Sequence, residues 1–198
     1  MSTGRTRTAG PFLDKATLVR AAADLADRDG WSRLTLTRVA ESVDRHVSSL
    51  YTHVDGLDDL RREIALLALD ELSEQVWRAA LGRSGGDALG AIAAVYRDYF
   101  RSHPGRSAAI NAFTGGGDPE YRARGARLAE PIRATLAGFG LDPDQVAVAH
   151  RIFTASIRGL ALGESRSSTD HRDADAALAQ TVDLFVTALD SGAWPRPH

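Results

Sequence analysis

Apolar residues recur at helical spacing along almost the whole chain. Leu18, Ala22 and Leu25 are separated by four and three residues, and residues 64–72 repeat this spacing. Steps of three and four place apolar side chains on one face of an α-helix, whereas a half-buried strand alternates with a period of two. No segment shows convincing alternation, so the pattern predicts an all-α protein.

Glycine, proline and polar stretches divide this pattern into about nine helices. The breaks fall at Gly30 and at residues 82–86, 115–119, 138–143 and 164–173. Short, closely spaced helices come first, and a long fourth helix is expected at residues 58–81. We predict an N-terminal unit at residues 1–57 and a larger helical unit at residues 58–198.

Composition narrows the class of protein. A chain of 198 residues without cysteine forms no disulfide and offers no thiolate to a metal. No apolar run approaches the roughly 20 residues that a membrane helix needs. We therefore expect a cytoplasmic protein with no membrane partner.

Charge is distributed unevenly. The net charge of −2 argues against non-specific nucleic-acid binding, which depends on summed neutralisation of phosphates. Arg5, Arg7, Lys15 and Arg20 nevertheless outnumber Asp14 at the start of the chain. This basic arm could follow a DNA backbone or enter a minor groove, and a solvated tail is the alternative.

The most informative segment is residues 30–60. Thr35 can cap a short helix at residues 36–43, whose apolar face is formed by Leu36, Val39, Ala40 and Val43. Only three residues separate it from a second helix, which begins near Val47 and is expected to cover VSSLYTHV, residues 47–54. Two short helices joined by a tight turn form a helix-turn-helix, whose second helix enters the major groove of DNA.

The second of these helices has an inner and an outer side. Leu50 and Val54 are four residues apart and face inward together. The outer side is left for DNA. We expect base contacts from residues with short or methyl-bearing side chains at its N-terminal end and phosphate contacts from hydroxyl and imidazole donors. The former are His46, Val47, Ser48 and Thr52, and the latter are Ser49, Tyr51 and His53.

These residues resemble the tetracycline-repressor (TetR) family. The resemblance rests on Gly30-Trp31, Leu34-Thr35, Val39-Ala40 and the L-Y-x-H-V pattern of Leu50, Tyr51, His53 and Val54. It implies a three-helix DNA-binding domain followed by a helical ligand-binding and dimerisation domain. It also implies a DNA surface formed by Thr35, Thr37 and Arg38 together with residues 46–53.

Three positions depart from the family pattern. Asp44 and Arg45 occupy a turn that commonly holds glycine and an apolar residue, and Leu57 stands where a lysine commonly contacts the backbone. Aspartate tolerates a left-handed conformation, but Arg45 does not fill an apolar niche. Either the turn is rearranged or Arg45 reaches a phosphate. With ten basic and nine acidic residues in residues 1–62, we expect weaker, more salt-sensitive DNA binding unless the arm compensates.

Two late helices carry apolar rows with four-three-four spacing, which is typical of packed helix pairs. The resemblance implies that two such helices per subunit form a homodimer interface, and an intrachain core is the alternative. The predicted interface residues are Ala149, Phe153, Ser156, Leu160, Leu178, Val182, Phe185 and Leu189.

The resemblance also implies a pocket for a small molecule of unknown identity among the fourth to eighth helices. Pockets are mostly apolar, with a few polar groups that orient the ligand. The fourth helix is expected to be the only rigid link between that pocket and the DNA-reading helix. The candidate ligand residues are Trp77, Tyr96, Tyr99, Asn111, Phe113, His150 and Phe153.

The leading hypothesis is a TetR-like repressor that binds a palindromic operator in double-stranded DNA as a dimer and is released by a small molecule. An activator or a ligand-independent DNA binder is the alternative. A helical enzyme is a remote one, because the six histidines lack metal-ligand spacing and no G-x-S-x-G or H-E-x-x-H motif occurs. We expect no catalytic residue, no metal site and no cofactor.

Overall fold

The computed structural model describes residues 13–113, 117–166, 171–192 and Trp194, so Arg5 and Arg7 of the predicted arm lie outside the described residues. Within these ranges the chain forms nine α-helices, one short 3-10 helix and no strand, which confirms the all-α prediction. None of these helices has the length and hydrophobicity needed to cross a membrane. The helices are α1 (Lys15–Asp29), the 3-10 helix (Trp31–Arg33), α2 (Leu36–Ser42), α3 (Val47–Leu50), α4 (Leu57–Ala80), α5 (Gly85–Ser102), α6 (Pro104–Ala112), α7 (Pro119–Ala137), α8 (Pro143–Arg166) and α9 (His171–Asp190).

Capping residues set several helix ends. The Asp14 side chain accepts a hydrogen bond from the backbone N–H of Thr17 at 2.7 Å, and Thr35 Oγ1 accepts one from Arg38 N at 3.3 Å. Both residues satisfy N–H groups that have no partner within the first helical turn. Asp118 does the same for α7, which then begins with Pro119.

The buried apolar residues form two cores. Helices α1 to α3 and the first turns of α4 build an N-terminal core, which includes Leu60 and Ile64. The rest of α4, from Ala68 to Val76, packs with α5 to α9 in a C-terminal core. Helix α4 therefore belongs to both cores. The predicted boundary between residues 57 and 58 lies just after the first residue of α4, and it stays a prediction.

The apolar rows of α8 and α9 face inward. Ala149, Phe153, Leu178, Val182, Phe185 and Leu189 are all buried within the single chain. Helices α8 and α9 both pack against α5, and the rings of Phe153 and Phe185 are 5.3 Å apart. Assigning these six residues to a dimer interface was therefore wrong, because spacing alone does not distinguish a seam within a chain from one between chains. Ser156 and Leu160 are half-buried.

A second connection joins the two cores besides α4. The N-terminus of α6 packs so closely on α1 that a Cβ atom at Gly105 would lie 2.2 Å from the backbone carbon of Ala26. Ala109 of the same helix is buried in the N-terminal core, and Ile110 in the C-terminal one. The expectation that α4 is the only rigid link was therefore wrong.

A buried guanidinium holds this contact together. The side chain of Arg106 is 7% exposed; it donates to Asp27 and, at 2.8 Å, to Asp24, both on α1. Its Nε lies 3.0 Å from Oε2 of Glu71 on α4, and Tyr99 donates a hydrogen bond to the same oxygen at 2.9 Å. His103 Nδ1 lies 3.2 Å from Asp27. One cation thus joins α1, α4 and α6.

We expect Gly105→Ala to lower the free energy of unfolding by about 2 kcal/mol, because an added methyl group must push α6 away from the α1 backbone. Chemical denaturation of the full chain measures this. Gly90→Ala is the matched control, since its Cβ would meet only Val182 at 4.0 Å and alanine favours the helix. If Gly105→Ala lowers the free energy of unfolding no more than Gly90→Ala does, the α1–α6 contact adjusts to the added methyl group and the prediction is wrong.

Candidate DNA-binding surface and ligand cavity

The helix-turn-helix is held on the N-terminal core by the residues that the sequence pattern assigns to its inner side. Val39 and Ala40 of α2 are buried, and so are Leu50 and Val54 around α3. Helix α3 itself ends at Leu50, and residues 51–53 form a turn. The prediction of one continuous helix to Val54 was therefore wrong in its C-terminal half, although Val54 still packs inward.

The turn between α2 and α3 closes through the backbone. Asp44 N donates to Glu41 O at 3.2 Å, and Arg45 N donates to Ala40 O at 2.9 Å. These two bonds form a Schellman motif, in which the residue after the helix takes a left-handed conformation. Asp44 has φ +51°, so aspartate stands where glycine is usual and the turn keeps a regular form.

The arginines of the predicted surface are engaged in local contacts. Arg38 Nη2 donates to Asp29 Oδ2 at 2.5 Å, which ties α2 to the end of α1. Arg45 Nη1 donates to the carbonyl of Asp44 at 3.0 Å. Because the carboxylate of Asp29 already neutralises the charge of Arg38, a phosphate contact with Arg38 would contribute less to the free energy of DNA binding. Thr35 and Thr37 are exposed.

The outer side of α3 and the following turn carries exposed polar and aromatic groups. His46 and Ser48 are exposed, and so is Thr52. Tyr51 is 57% exposed, so its ring and hydroxyl are accessible to a partner. The Ser49 hydroxyl donates to His46 O at 2.7 Å, and that of Thr52 donates to Ser49 O at 2.7 Å.

Two other predicted residues contact the protein itself. Val47 is half-buried and packs on the N-terminal core. His53 lies close enough to Asp14 to help lower the pKa of that carboxyl, after the larger effects of its hydrogen bonds with Thr17 and the charge of Arg20. Leu57 at the start of α4 also packs on the core. It therefore offers no phosphate contact at the position where the family commonly has a lysine.

Some of the carboxylates of the N-terminal domain are paired with arginines, and others are exposed near the predicted DNA surface. Asp24, Asp27 and Asp29 are paired with Arg106 or Arg38. Asp44, Asp55 and Asp58 remain exposed. Around the motif, the exposed hydrogen-bond donors of α3 favour contact with DNA, whereas the exposed carboxylates at both ends repel its phosphates. Because salt further weakens the attraction between exposed charges, we expect DNA binding only at modest ionic strength.

A cavity of about 170 Å³ lies among α4 to α8. Of the predicted ligand residues, Tyr96 and His150 line it. The lining residues that the sequence analysis missed include Tyr121, Thr154 and Arg158, although Thr154 and Arg158 follow His150 at helical steps of four.

The other five predicted ligand residues are not among those that line this cavity, and their assignment stays a prediction. Phe153 is in the C-terminal core, and Trp77 donates to Arg127 O at 3.3 Å beside a groove at the end of α4. Tyr99 bonds Glu71, and Phe113 packs edge-on against Tyr121 at 4.9 Å. Asn111 accepts a hydrogen bond from Arg158.

The fold and its surface define a class of helix-turn-helix regulator. Residues 89–191 match the model of the tetracyclin repressor-like C-terminal domain. The chain is 36% identical to the uncharacterized HTH-type transcriptional regulator Rv0681 of Mycobacterium tuberculosis, covering 90% of this chain and 82% of that protein. It therefore belongs to the TetR family of transcriptional regulators, whose members are not enzymes.

Solved structures share the fold. A TetR variant of Acinetobacter baumannii AYE in complex with minocycline superposes with a TM-score of 0.72 at 22% identity, over 93% of this chain and 100% of that one. BioQ with its natural double-stranded DNA operator superposes with a TM-score of 0.69 at 20% identity, over 91% of this chain and 99% of that one.

We expect the exposed residues of α3 to separate into two groups when mutated. Tyr51→Phe removes a phosphate donor and should weaken operator and point-mutated operator duplexes equally, by about 3- to 10-fold. His46→Ala and Ser48→Ala should instead change the preferred bases. Fluorescence anisotropy on a set of duplexes at fixed salt measures both effects. Altered sequence preference in Tyr51→Phe alone would contradict this assignment.

Proposed function

We propose that this protein is a repressor that binds a palindromic operator as a homodimer and leaves it when a small molecule occupies the cavity. The observation that carries the proposal is the exposed row of His46, Ser48, Tyr51 and Thr52 on a rigidly seated helix-turn-helix. Residues 1–57 act as the DNA-binding unit and residues 58–198 as the ligand-binding and dimerisation unit.

The surface residues have distinct roles in this proposal. His46, Ser48 and Thr52, with the methyl groups of Val47, face base edges in the major groove. Tyr51 and His53 donate to phosphates and hold the register, and Ser49 joins them when its hydroxyl turns away from His46 O. Thr35, Thr37, Arg38 and Arg45 lie along the adjoining backbone, where Arg38 contributes less because Asp29 already binds it.

The dimer uses the outer faces of α8 and α9. Val148 and Ile152 are exposed on α8, and Leu184 on α9 is 73% exposed. Ala155 and Gly159 continue the same face of α8, and small residues permit close approach of two helices. A second copy that covers these faces builds a four-helix bundle. A two-fold dimer presents two copies of α3 to successive half-sites of a palindrome.

Release follows from the position of the cavity. Leu69 and Leu72 of α4 line it, as does Ile110 of α6, and these two helices also enter the N-terminal core through Ile64 and Ala109. A ligand that shifts either helix changes how the helix-turn-helix is held. Such coupling between sites is typically about 1–3 kcal/mol and acts equally in both directions.

The DNA half of the proposal is tested by selecting bound sites from random duplexes with the full chain. We expect an inverted repeat whose half-sites are about one or more helical turns apart. Enrichment of a single unrepeated site would contradict dimeric binding, and no enrichment at all would contradict sequence-specific binding. A repressor then lowers transcription from a promoter that carries the site, whereas an activator raises it.

The dimer half is tested by two neighbouring residues. Leu184→Arg changes an exposed residue and should give a folded monomer with weakened operator binding. Phe185→Arg places the same charge where the native ring is 9% exposed and should cost several kcal/mol of stability. Sedimentation and thermal unfolding separate these outcomes. A dimeric Leu184→Arg protein, or a wild-type monomer, would contradict the proposed interface.

A further inference from the structure

The cavity has an apolar wall and a polar edge. Aliphatic and aromatic side chains from α4 to α7 form most of its lining, whereas α8 contributes His150, Thr154 and Arg158 in successive helical turns. The apolar and aromatic lining residues are Leu69, Leu72, Tyr96, Phe100, Ile110, Tyr121, Leu128 and Ala129.

Arg158 is the only charged residue among those that line the cavity at neutral pH. Burial, followed by the charges of Arg133 and Arg151, lowers the pKa of His150, so its ring is neutral. Burial raises the pKa of Tyr96 and of Tyr121, so both phenols are neutral as well. No aspartate or glutamate lines the cavity. The residues that line the cavity therefore carry one positive charge and no negative one.

Arg158 has no anionic partner among the described residues. Its Nη2 donates to the amide oxygen of Asn111, and its guanidinium carbon lies 6.0 Å from the centre of the Phe100 ring. Arg97, the buried guanidinium of the C-terminal core, is by contrast paired with Glu164 and Asp175. A half-buried cation without a carboxylate retains the capacity to bind an anion.

A second donor beside it is also unused. Tyr96 is 4% exposed, and its ring stacks on Phe100 with centroids 6.2 Å apart. Its hydroxyl forms no hydrogen bond with any residue in the described part of the chain, whereas the Tyr121 hydroxyl donates to Ile110 O at 3.1 Å. Tyr96 lines the cavity, so its hydroxyl can donate a hydrogen bond to a ligand or water there.

We propose that the cavity binds a small carboxylate with an aromatic or aliphatic body, whose carboxylate pairs with Arg158 and accepts a hydrogen bond from Tyr96. The body lies against Phe100 and the leucines of α4 and α7. This inference rests on the proposed function for its regulatory consequence, whereas the binding itself requires no DNA.

The size and charge of the cavity narrow the class. A volume of about 170 Å³ holds roughly six waters at about 30 Å³ each, which suits a single-ring or short-chain acid. One guanidinium matches a monoanion. A ligand cation would meet the charge of Arg158 without any carboxylate to offset it.

The probes are two matched pairs that differ in charge: benzoate with benzamide, and hexanoate with hexanamide. Titration calorimetry on the full-length protein near neutral pH should show that each acid binds roughly 10-fold or more tightly than its amide, because a hydrogen bond to a charged group is stronger than a neutral one. Equal affinity within each pair, or no binding of either acid at millimolar concentration, would overturn the proposal.

Variants locate the binding group. Arg158→Met should weaken acid binding roughly 10-fold or more and amide binding much less, and Tyr96→Phe should weaken acid binding several-fold. Asn111→Asp is a second variant at an exposed position, where a new carboxylate should compete for Arg158 and weaken the acids similarly. Arg101→Met is the matched control, since Arg101 is exposed on α5 and pairs with Asp98. Undiminished acid binding in both Arg158→Met and Asn111→Asp would overturn the assignment.

Addition of the acids to the operator complex distinguishes the inference from the proposed function. Binding through Arg158 that leaves operator affinity unchanged supports the carboxylate site and contradicts the release mechanism. Intact operator binding in a protein that binds no carboxylate overturns this inference and leaves the DNA-binding function standing.

Discussion

The relation between the two cores depends on the buried charge of Arg106. A guanidinium that is 7% exposed needs acceptors on several sides, and Asp24, Asp27 and Glu71 supply them from two other helices. Removal of Arg106 would leave the buried carboxylate of Asp27 without its cation, which is the costly way to break a buried ion pair. The arrangement therefore holds α6 against α1 in one position, with Gly105 at the point of closest approach.

This constraint places the cavity where it can influence DNA binding. Tyr99 follows Tyr96 by three residues on α5 and donates to Glu71, so the helix that lines the cavity also supports the Arg106 cluster. Helices α4 and α6 reach from the cavity wall to the N-terminal core. A ligand would thus act on two packed helices at once, and interlocked helices tend to respond by discrete shifts rather than continuous deformation.

The two C-terminal helices show why apolar spacing is ambiguous. Helix α8 has one apolar row that includes Phe153, buried against α5, and another that includes Val148 and Ile152, exposed in the single chain. Both rows have helical periodicity, and both are consistent with a packed seam. The larger, aromatic residues fill the intrachain core, whereas the exposed row with its small residues is the one left for a partner. Only packing against α5 determines which row faces inward.

The sequence by itself determined the helical class, the family and the inner side of the helix-turn-helix, because period, caps and the L-Y-x-H-V pattern are local properties of the chain. It also indicated that Asp44 tolerates the left-handed turn. It did not determine the inner row of α8, the α1–α6 contact or the hydrogen-bond partners of Arg38, Arg106 and Arg158. Those depend on which side chains meet across 9 to 82 residues of chain, and one helix's periodicity carries no information about its partner.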